Sequence, residues 1–298
     1  MKGIDHIVLC GRDHQAMRET YAALGFTLTP EARHPFGTGN SLIQLEGCFL
    51  ELLSVFEPEN IREPAEGQFS FAAFNRDFLS QREGMSMLVL DSTDARADVA
   101  AFRAAGLQAY EPFDFSRKAR LPSGREATVG FSVAFATHPA MPEMAFFTCQ
   151  QHTPEHFWKT EYQRHANRAL TVLEVCMVAE RPGDHAGFLS AFAGFPAATV
   201  AEGGVTVRTA RGNITCLTPR GFEMSFRRAA PDIERGPRFA GFTIGVRRMA
   251  RLEESLANSG YALHKDGPHR AVLSVDVNGS TLAFFALNRQ DAEDERRQ

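Results

Sequence analysis

Two side chains in this 298-residue chain are placed where chemistry could be built, His6 and Glu51. His6 lies in the run Ile4-Asp5-His6-Ile7-Val8-Leu9-Cys10, apolar and β-branched enough for a buried strand. Glu51 lies in Cys48–Val55, where alternation puts Phe49, Glu51 and Leu53 on one strand face. A neutral imidazole and a carboxylate are ligand types for a divalent cation, and each can also move protons. Singly, His6 reads as well as a satisfied core histidine, and His34 and His138 as loop residues. Phe131, Val133 and Phe135 share a face of Thr128–His138. The basic stretch Arg117-Lys118-Ala119-Arg120 is either a solvated loop or a receiver for an anionic substrate. Thr153–Asn167 carries His156, Trp158, Gln163, His165 and Asn167, dense for a linker.

The elements that must position these residues repeat. After the first strand, Asp13–Leu24 is helical, with Met17, Tyr21 and Leu24 at i, i+4, i+7, and stops at Gly25. Strand-like runs follow at Phe26–Pro30, Ser41–Glu46 and Cys48–Val55, completing a β-α-β-β-β unit. Three further strands lead into helices that end at a glycine: Met85–Asp91 to Gly106, Leu173–Ala179 to Gly194, and Gly241–Arg247 to Gly260. The copies close on Met144–Gln150, Gly221–Phe226 and Thr281–Leu287. Four modules make two domains, because one unit cannot bury its sheet face alone. Between the first two modules, Phe71, Phe74 and Phe78 at i, i+3, i+7 mark a helix, either packing on the sheet or serving as an aromatic lid.

Composition narrows the function classes. Net charge −4 and a pI near 6.2, with no basic tract, argue against a nucleic-acid surface. No apolar stretch is long enough to span a bilayer and no signal segment opens the chain, so a cytoplasmic protein is expected. The five cysteines lack C-x-x-C spacing and read as buried free thiols. Phenylalanine is abundant, 25 against one Trp and four Tyr, and some of it must line something besides ordinary core. No G-x-G-x-x-G, Walker A, G-x-S-x-G or H-E-x-x-H pattern competes.

The phrase Ile4-Asp5-His6-Ile7-Val8-Leu9, the helix stop Ala23-Leu24-Gly25-Phe26 and Phe49-Leu50-Glu51-Leu52 resemble the vicinal oxygen chelate superfamily. His34-Pro35-Phe36-Gly37-Thr38-Gly39-Asn40 and Gln151-His152-Thr153-Pro154-Glu155, with Trp158, resemble its glyoxalase-like branch. The resemblance implies an α+β fold of four tandem βαβββ modules in two cupped mixed sheets. The domains would be 1–168, which carries the site, and 169–288, a degenerate copy, followed by a flexible tail at 289–298. It also implies that the first and last strands of each module are neighbours, each presenting one ligand into the cup. His6 and Glu51 then hold a divalent metal (Zn, Ni, Mn or Fe), with His152 as third ligand and His34 or His138 as substitutes. In the second module Ser86 or Met87, and Phe147 or Thr148, stand at the ligand places. In the third these are Glu174 and Glu223. Glu51 or Glu155 would be the proton carrier, and His34, Asn40, Arg117, Phe131, Phe135, Trp158 and His165 the substrate contacts. The expected activity is isomerase or lyase chemistry on a small, oxygenated, partly apolar substrate, in a protein that could form a homodimer. The alternative is a resistance-type binding protein without catalysis. An extradiol dioxygenase is disfavoured, since its C-terminal His, His, Glu set is missing.

Overall fold

The computed structural model describes residues 2–120, 126–195, 198–201 and 203–287. The first module runs β1 (Ile4–Cys10), α1 (His14–Ala23), β2 (Ala32–Arg33), β3 (Thr38–Gln44) and β4 (Phe49–Val55). Helix α2 (Phe71–Gln81) leads to the second: β5 (Gly84–Asp91), α3 (Ala95–Ala104), β6 (Gln108–Ala109), β7 (Phe113–Arg120), β8 (Glu126–Thr137) and β9 (Ala145–Gln151). A connecting arm contains the short helix α4 (Pro154–Phe157). The third module is β10 (Ala169–Val178), α5 (Ala186–Ala193), β11 (Thr199–Ala201), β12 (Gly204–Arg208) and β13 (Asn213–Leu217), followed by α6 (Pro219–Phe226). The fourth is β14 (Arg238–Val246), α7 (Met249–Leu256), β15 (Leu263–Lys265), β16 (Arg270–Leu273) and β17 (Thr281–Ala286).

The repeat is visible in the sheets. One has the order β2-β3-β4-β1-β5-β9-β8-β6, with β7 paired on β8; the other is β11-β12-β13-β10-β14-β17-β16-β15. In every module the first strand pairs parallel with the last, and the two first strands of a sheet pair antiparallel. The four glycines that follow the module helices, Gly25, Gly106, Gly194 and Gly260, have φ of 83°, 76°, 68° and 80°. A residue with a Cβ is strained there, so the recurring glycine is the backbone signature of each helix stop.

Alternation then sorts the side chains into two layers. Ile7 and Leu9 of β1 join a core that also holds Tyr21 of α1, Phe102 of α3, Phe192 of α5 and Leu252 of α7, with strand residues of both sheets. Val8 and Cys10 face the opposite way, into the cup of the first sheet. All five cysteines are free and buried.

Three expected elements differ. Phe26–Pro30 forms no strand: the Thr27 N–H donates to His165 Nδ1 and the Leu42 N–H to the Thr29 hydroxyl, so side chains take the bonds a ladder would use. Gly221–Phe226 is helix α6 rather than the closing strand, which is β13. The Thr218 hydroxyl accepts from the Gly221 N–H and Pro219 opens the helix, a start signal present in the sequence. Glu223 is therefore on a helix and not at a ligand place. Arg117–Arg120 is no loop, since β7 forms a hairpin with β8 through Phe113–Arg120. The expected tail, 289–298, lies outside the described residues.

Candidate functional site

The cup of the first sheet is a cavity of about 550 Å³, counting the space that opens to solvent. Nine phenylalanines line it, among them Phe36 beside β3, Phe71 at the start of α2, Phe115 on β7 and Phe147 on β9. That is where much of the phenylalanine excess goes. Phe71 sits just after Ser70, whose hydroxyl caps α2 by accepting from the Ala73 N–H, so the helix start holds this ring over the cup.

At the floor stand His6, Glu51, Asn40 and His34, all buried. His6 comes from β1 and Glu51 from the adjacent parallel β4, where Glu51 is opposite Val8. A bulge between Ile4 and His6 in the β1–β5 pairing leaves Asp5 as an extra residue. Asp5 Oδ2 lies 2.7 Å from His6 Nδ1. Nδ1 then carries the proton that it donates to the carboxylate, and Nε2 faces Glu51 Oε2 at 3.6 Å. Phe49 stacks on the imidazole, ring centroids 4.2 Å apart, and fixes its plane. Asn40 donates to Glu51 Oε1 at 2.5 Å and to His34 Nε2 at 3.2 Å. His34 then donates from Nδ1 to the Thr38 hydroxyl at 2.8 Å. Burial drives the His34 pKa down to about 3, so the ring is neutral. Asn40 Oδ1 is buried with no partner. Such an acceptor calls for a donor from a ligand or water.

The structure brings His6, Glu51, His34, Asn40, Arg117, Phe131 and Phe135 together around this cavity. It does not bring His152 there. Phe131, Val133 and Phe135 of β8 face the cup, so Ser132 faces away, and His152 Nε2 is 2.9 Å from its hydroxyl, which also bonds Asp114. Glu155, on α4, is exposed to solvent. His165 accepts from the Thr27 N–H and donates to the Gln44 carbonyl at 2.8 Å, which ties the arm to the sheet away from the cup. Trp158 packs behind the lining, against Phe49 and Phe157 at 5.9 and 5.1 Å. His138 lies beside His185 and Phe188 of the other half. The sequence reading missed Asp5 as the residue that orients His6, although it precedes it in the same strand.

The register also resolves the second module's ligand places. Val8 is opposite Glu51 and Val89 opposite Phe147, so Met87 corresponds to His6 and Phe147 to Glu51. Neither can ligate a hard cation. Among the described residues no group of three His, Cys, Asp or Glu side chains could hold a metal ion. His34 Nε2, 4.0 Å from Glu51 Oε1, spends its lone pair on Asn40. The donors present match two points of attachment, His6 and Glu51, and fall short of a three-ligand centre. In the second sheet Glu174 takes the His6 place, its carboxylate accepting from Thr215 and Thr243, while Phe222 and Phe226 of α6 fill the cup.

Paired βαβββ units closing a cup are the architecture of the vicinal oxygen chelate superfamily. The chain belongs to its glyoxalase-like domain family, whose model matches residues 4–192. Among solved structures, a hypothetical protein from Staphylococcus aureus is similar over 96% of this chain and 100% of its own, at 11% identity and a TM-score of 0.70. A mutant 4-hydroxymandelate synthase from Streptomyces coelicolor matches 96% of this chain and 93% of its own, at 10% identity and a TM-score of 0.57. The Mn(II)-bound glyoxalase from Novosphingobium aromaticivorans matches 96% and 83%, at 11% identity and a TM-score of 0.56. At such identities the likeness is one of fold. A search of curated proteins finds no match. No helix among the described residues is long and apolar enough to cross a membrane.

Proposed function

We propose that the first cup binds a small, oxygenated, largely apolar molecule and moves a proton at a carbon next to its carbonyl group. The observation that carries this is the Asp5–His6–Glu51 line at the floor. Asp5 orients His6 so that Nε2 offers a lone pair to the cavity, the arrangement a general base needs. Glu51 Oε2, 3.6 Å away, offers a second acceptor. Two acceptors facing each other in an apolar cup repel unless a proton or a ligand donor lies between them. An acidic C–H or a hydroxyl of the ligand fits that seat, and a hydroxyl also suits the unpartnered Asn40 Oδ1. In turnover His6 takes the proton and returns it to the same or the neighbouring carbon, while the phenylalanine walls exclude water. The outcome is epimerisation or isomerisation; where the neighbouring carbon bears a leaving group, that bond breaks as the C–H pair moves in, His6 gives the proton to the departing group, and the outcome is elimination. His6 and Glu51 are also the points at which a divalent cation would attach. Bound there it would polarise the carbonyl, but the described residues offer no third ligand, and the proton transfer rests on the protein's own groups.

The test is deuterium uptake from D2O at the α-carbon of aromatic hydroxyketones, followed by NMR, with chelator, Mn²⁺, Zn²⁺, Ni²⁺ or Fe²⁺ added in separate arms. The wild-type protein exchanges the proton. His6→Ala reduces the rate by about 10²–10⁴-fold, the usual contribution of a general base. Binding without exchange in every arm assigns the cup to carriage or sequestration, a reading its largely apolar lining also suits.

A further inference from the structure

His6 and Glu51 at the floor of the cup are only 4% and 5% exposed, so a ligand reaches them when part of the lining moves. Two stretches of lining also face grooves on the outer surface. Phe36, Phe71 and Phe113 face a groove of about 1380 Å³, counting the space open to solvent. Leu42, Arg117 and Phe157 face one of about 680 Å³ by the same measure. The second wall is stiff. Leu42 is buried in the middle of β3, and Arg117 lies within the β7–β8 hairpin. Phe157 is buried too, its carbonyl bonded to Gln44 and its ring against Phe49, Phe131 and Trp158. The first wall consists of three half-buried rings at element ends. Phe36 is in the turn before β3, Phe71 opens α2, and Phe113 opens β7, which pairs with β8 alone. Phe36 touches both others edge to face, with centroids 5.9 Å from Phe71 and 5.7 Å from Phe113, so the three rings close the passage.

We propose that ligands enter and leave the cup between Phe36, Phe71 and Phe113, that Phe36 is the leaf that swings, and that the structure shows this gate closed. This rests on the reading of the cup as a ligand site. The backbone of the leaf is pinned, because the Gly37 carbonyl accepts from the Phe56 and Glu57 N–H groups. Phe36 therefore opens by rotation of its side chain. Its ring stacks on His34, centroids 5.0 Å apart, and His34 Nε2 accepts from Asn40. The leaf thus closes directly on the hydrogen-bonded floor, and a ligand seated there meets the ring that Phe36 rests on.

Cys149, a free thiol on β9 that lines the cup, reports the opening without any ligand. The full chain is pulsed with N-ethylmaleimide and each cysteine is followed by peptide mass spectrometry. Burial holds the Cys149 thiol well above the usual range, so rates are compared between variants. Phe36→Ala speeds labelling of Cys149 by about tenfold, Phe36→Trp slows it by about threefold, and Leu42→Ala in the other wall changes it less than about threefold. Cys176 and Cys216, buried in the second half, keep their wild-type rates in all three. If they accelerate with Cys149 in Phe36→Ala, that variant opens globally, and Phe113→Leu takes its place under the same criterion. An unchanged Cys149 rate in the Phe36 variants, or a larger acceleration in Leu42→Ala, overturns the gate. Because labelling needs no ligand, a gate confirmed in a protein that binds no hydroxyketone leaves the passage in place and sinks the cup reading alone.

Discussion

At the scale of single residues, the floor of the cup is a polar cluster in apolar surroundings, and its energetics depend on which members stay uncharged. His34 is neutral in the folded protein because burial lowers its pKa to about 3, against an ordinary value of 6.5. Below pH 6.5 the unfolded chain binds a proton at this histidine that the native state does not. Its contribution to stability is complete above that pH and is lost as pH falls toward 3, by up to about 1.4 kcal/mol per pH unit. His14, His165 and His185 are shifted in the same direction by burial and add to the slope. Replacing His34 with Gln should flatten the acid side of the curve of unfolding free energy against pH. Parallel curves for wild type and variant between pH 6.5 and 4 would show that His34 does not titrate on unfolding. At the Glu51 position, Glu51→Gln keeps the shape and removes the charge, and should slow α-proton exchange of the aromatic hydroxyketones without preventing their binding.

At the scale of elements, the arm 153–167 is a structural strap. Gln44 accepts from the Lys159 N–H and donates to the Phe157 carbonyl, Gln163 donates to the Leu45 carbonyl, and His165 bonds Thr27 and Gln44. His165→Ala takes its side-chain partner from a part-buried N–H and from a buried C=O, at about 1–3 kcal/mol for the buried group and less for the part-buried one. The expected result is a loss of about 2–4 kcal/mol in denaturant unfolding and faster proteolysis between residues 155 and 166. Affinity for cup ligands should change little, because His165 does not line the cavity. A large loss of affinity with stability intact would return His165 to the substrate contacts.

Across the whole molecule, the two sheets share one interior. Phe146 of β9 meets Phe188 and Phe192 of α5 and Phe239 of β14, with ring centroids at 4.9, 5.3 and 5.4 Å. Neither half can be removed without exposing these rings. We therefore expect one cooperative unfolding transition by calorimetry and by Trp158 emission, although Trp158 lies beside the first cup alone. Phe146→Ala should lower that single transition, at a cost of about 3–5 kcal/mol. Two resolved transitions, or a folded fragment 1–168, would show that the halves are independent.

The repeat, the helix stops and the strand faces were legible in the sequence because they follow from local rules. Glycine alone adopts the positive φ at each helix end without strain, and alternation along a strand puts Glu51 beside Phe49 and Leu53 whatever the surroundings. The cup residues His6 and Glu51 could be named from the resemblance for the same reason, as positions on strands. What the sequence could not decide was where the connecting segments go. His152 and His34 are both histidines outside regular strands. Only the packed structure turns His34 into the floor and leaves His152 on the far face of β8, because a loop's path is set by tertiary contacts and not by periodicity. Arg117 reads as part of a basic loop until the hairpin with β8 gives it an alternating partner. Asp5 reads as a polar interruption of a strand until the bulge brings its carboxylate to His6. These are long-range facts of register and closure, which no short stretch of the chain contains.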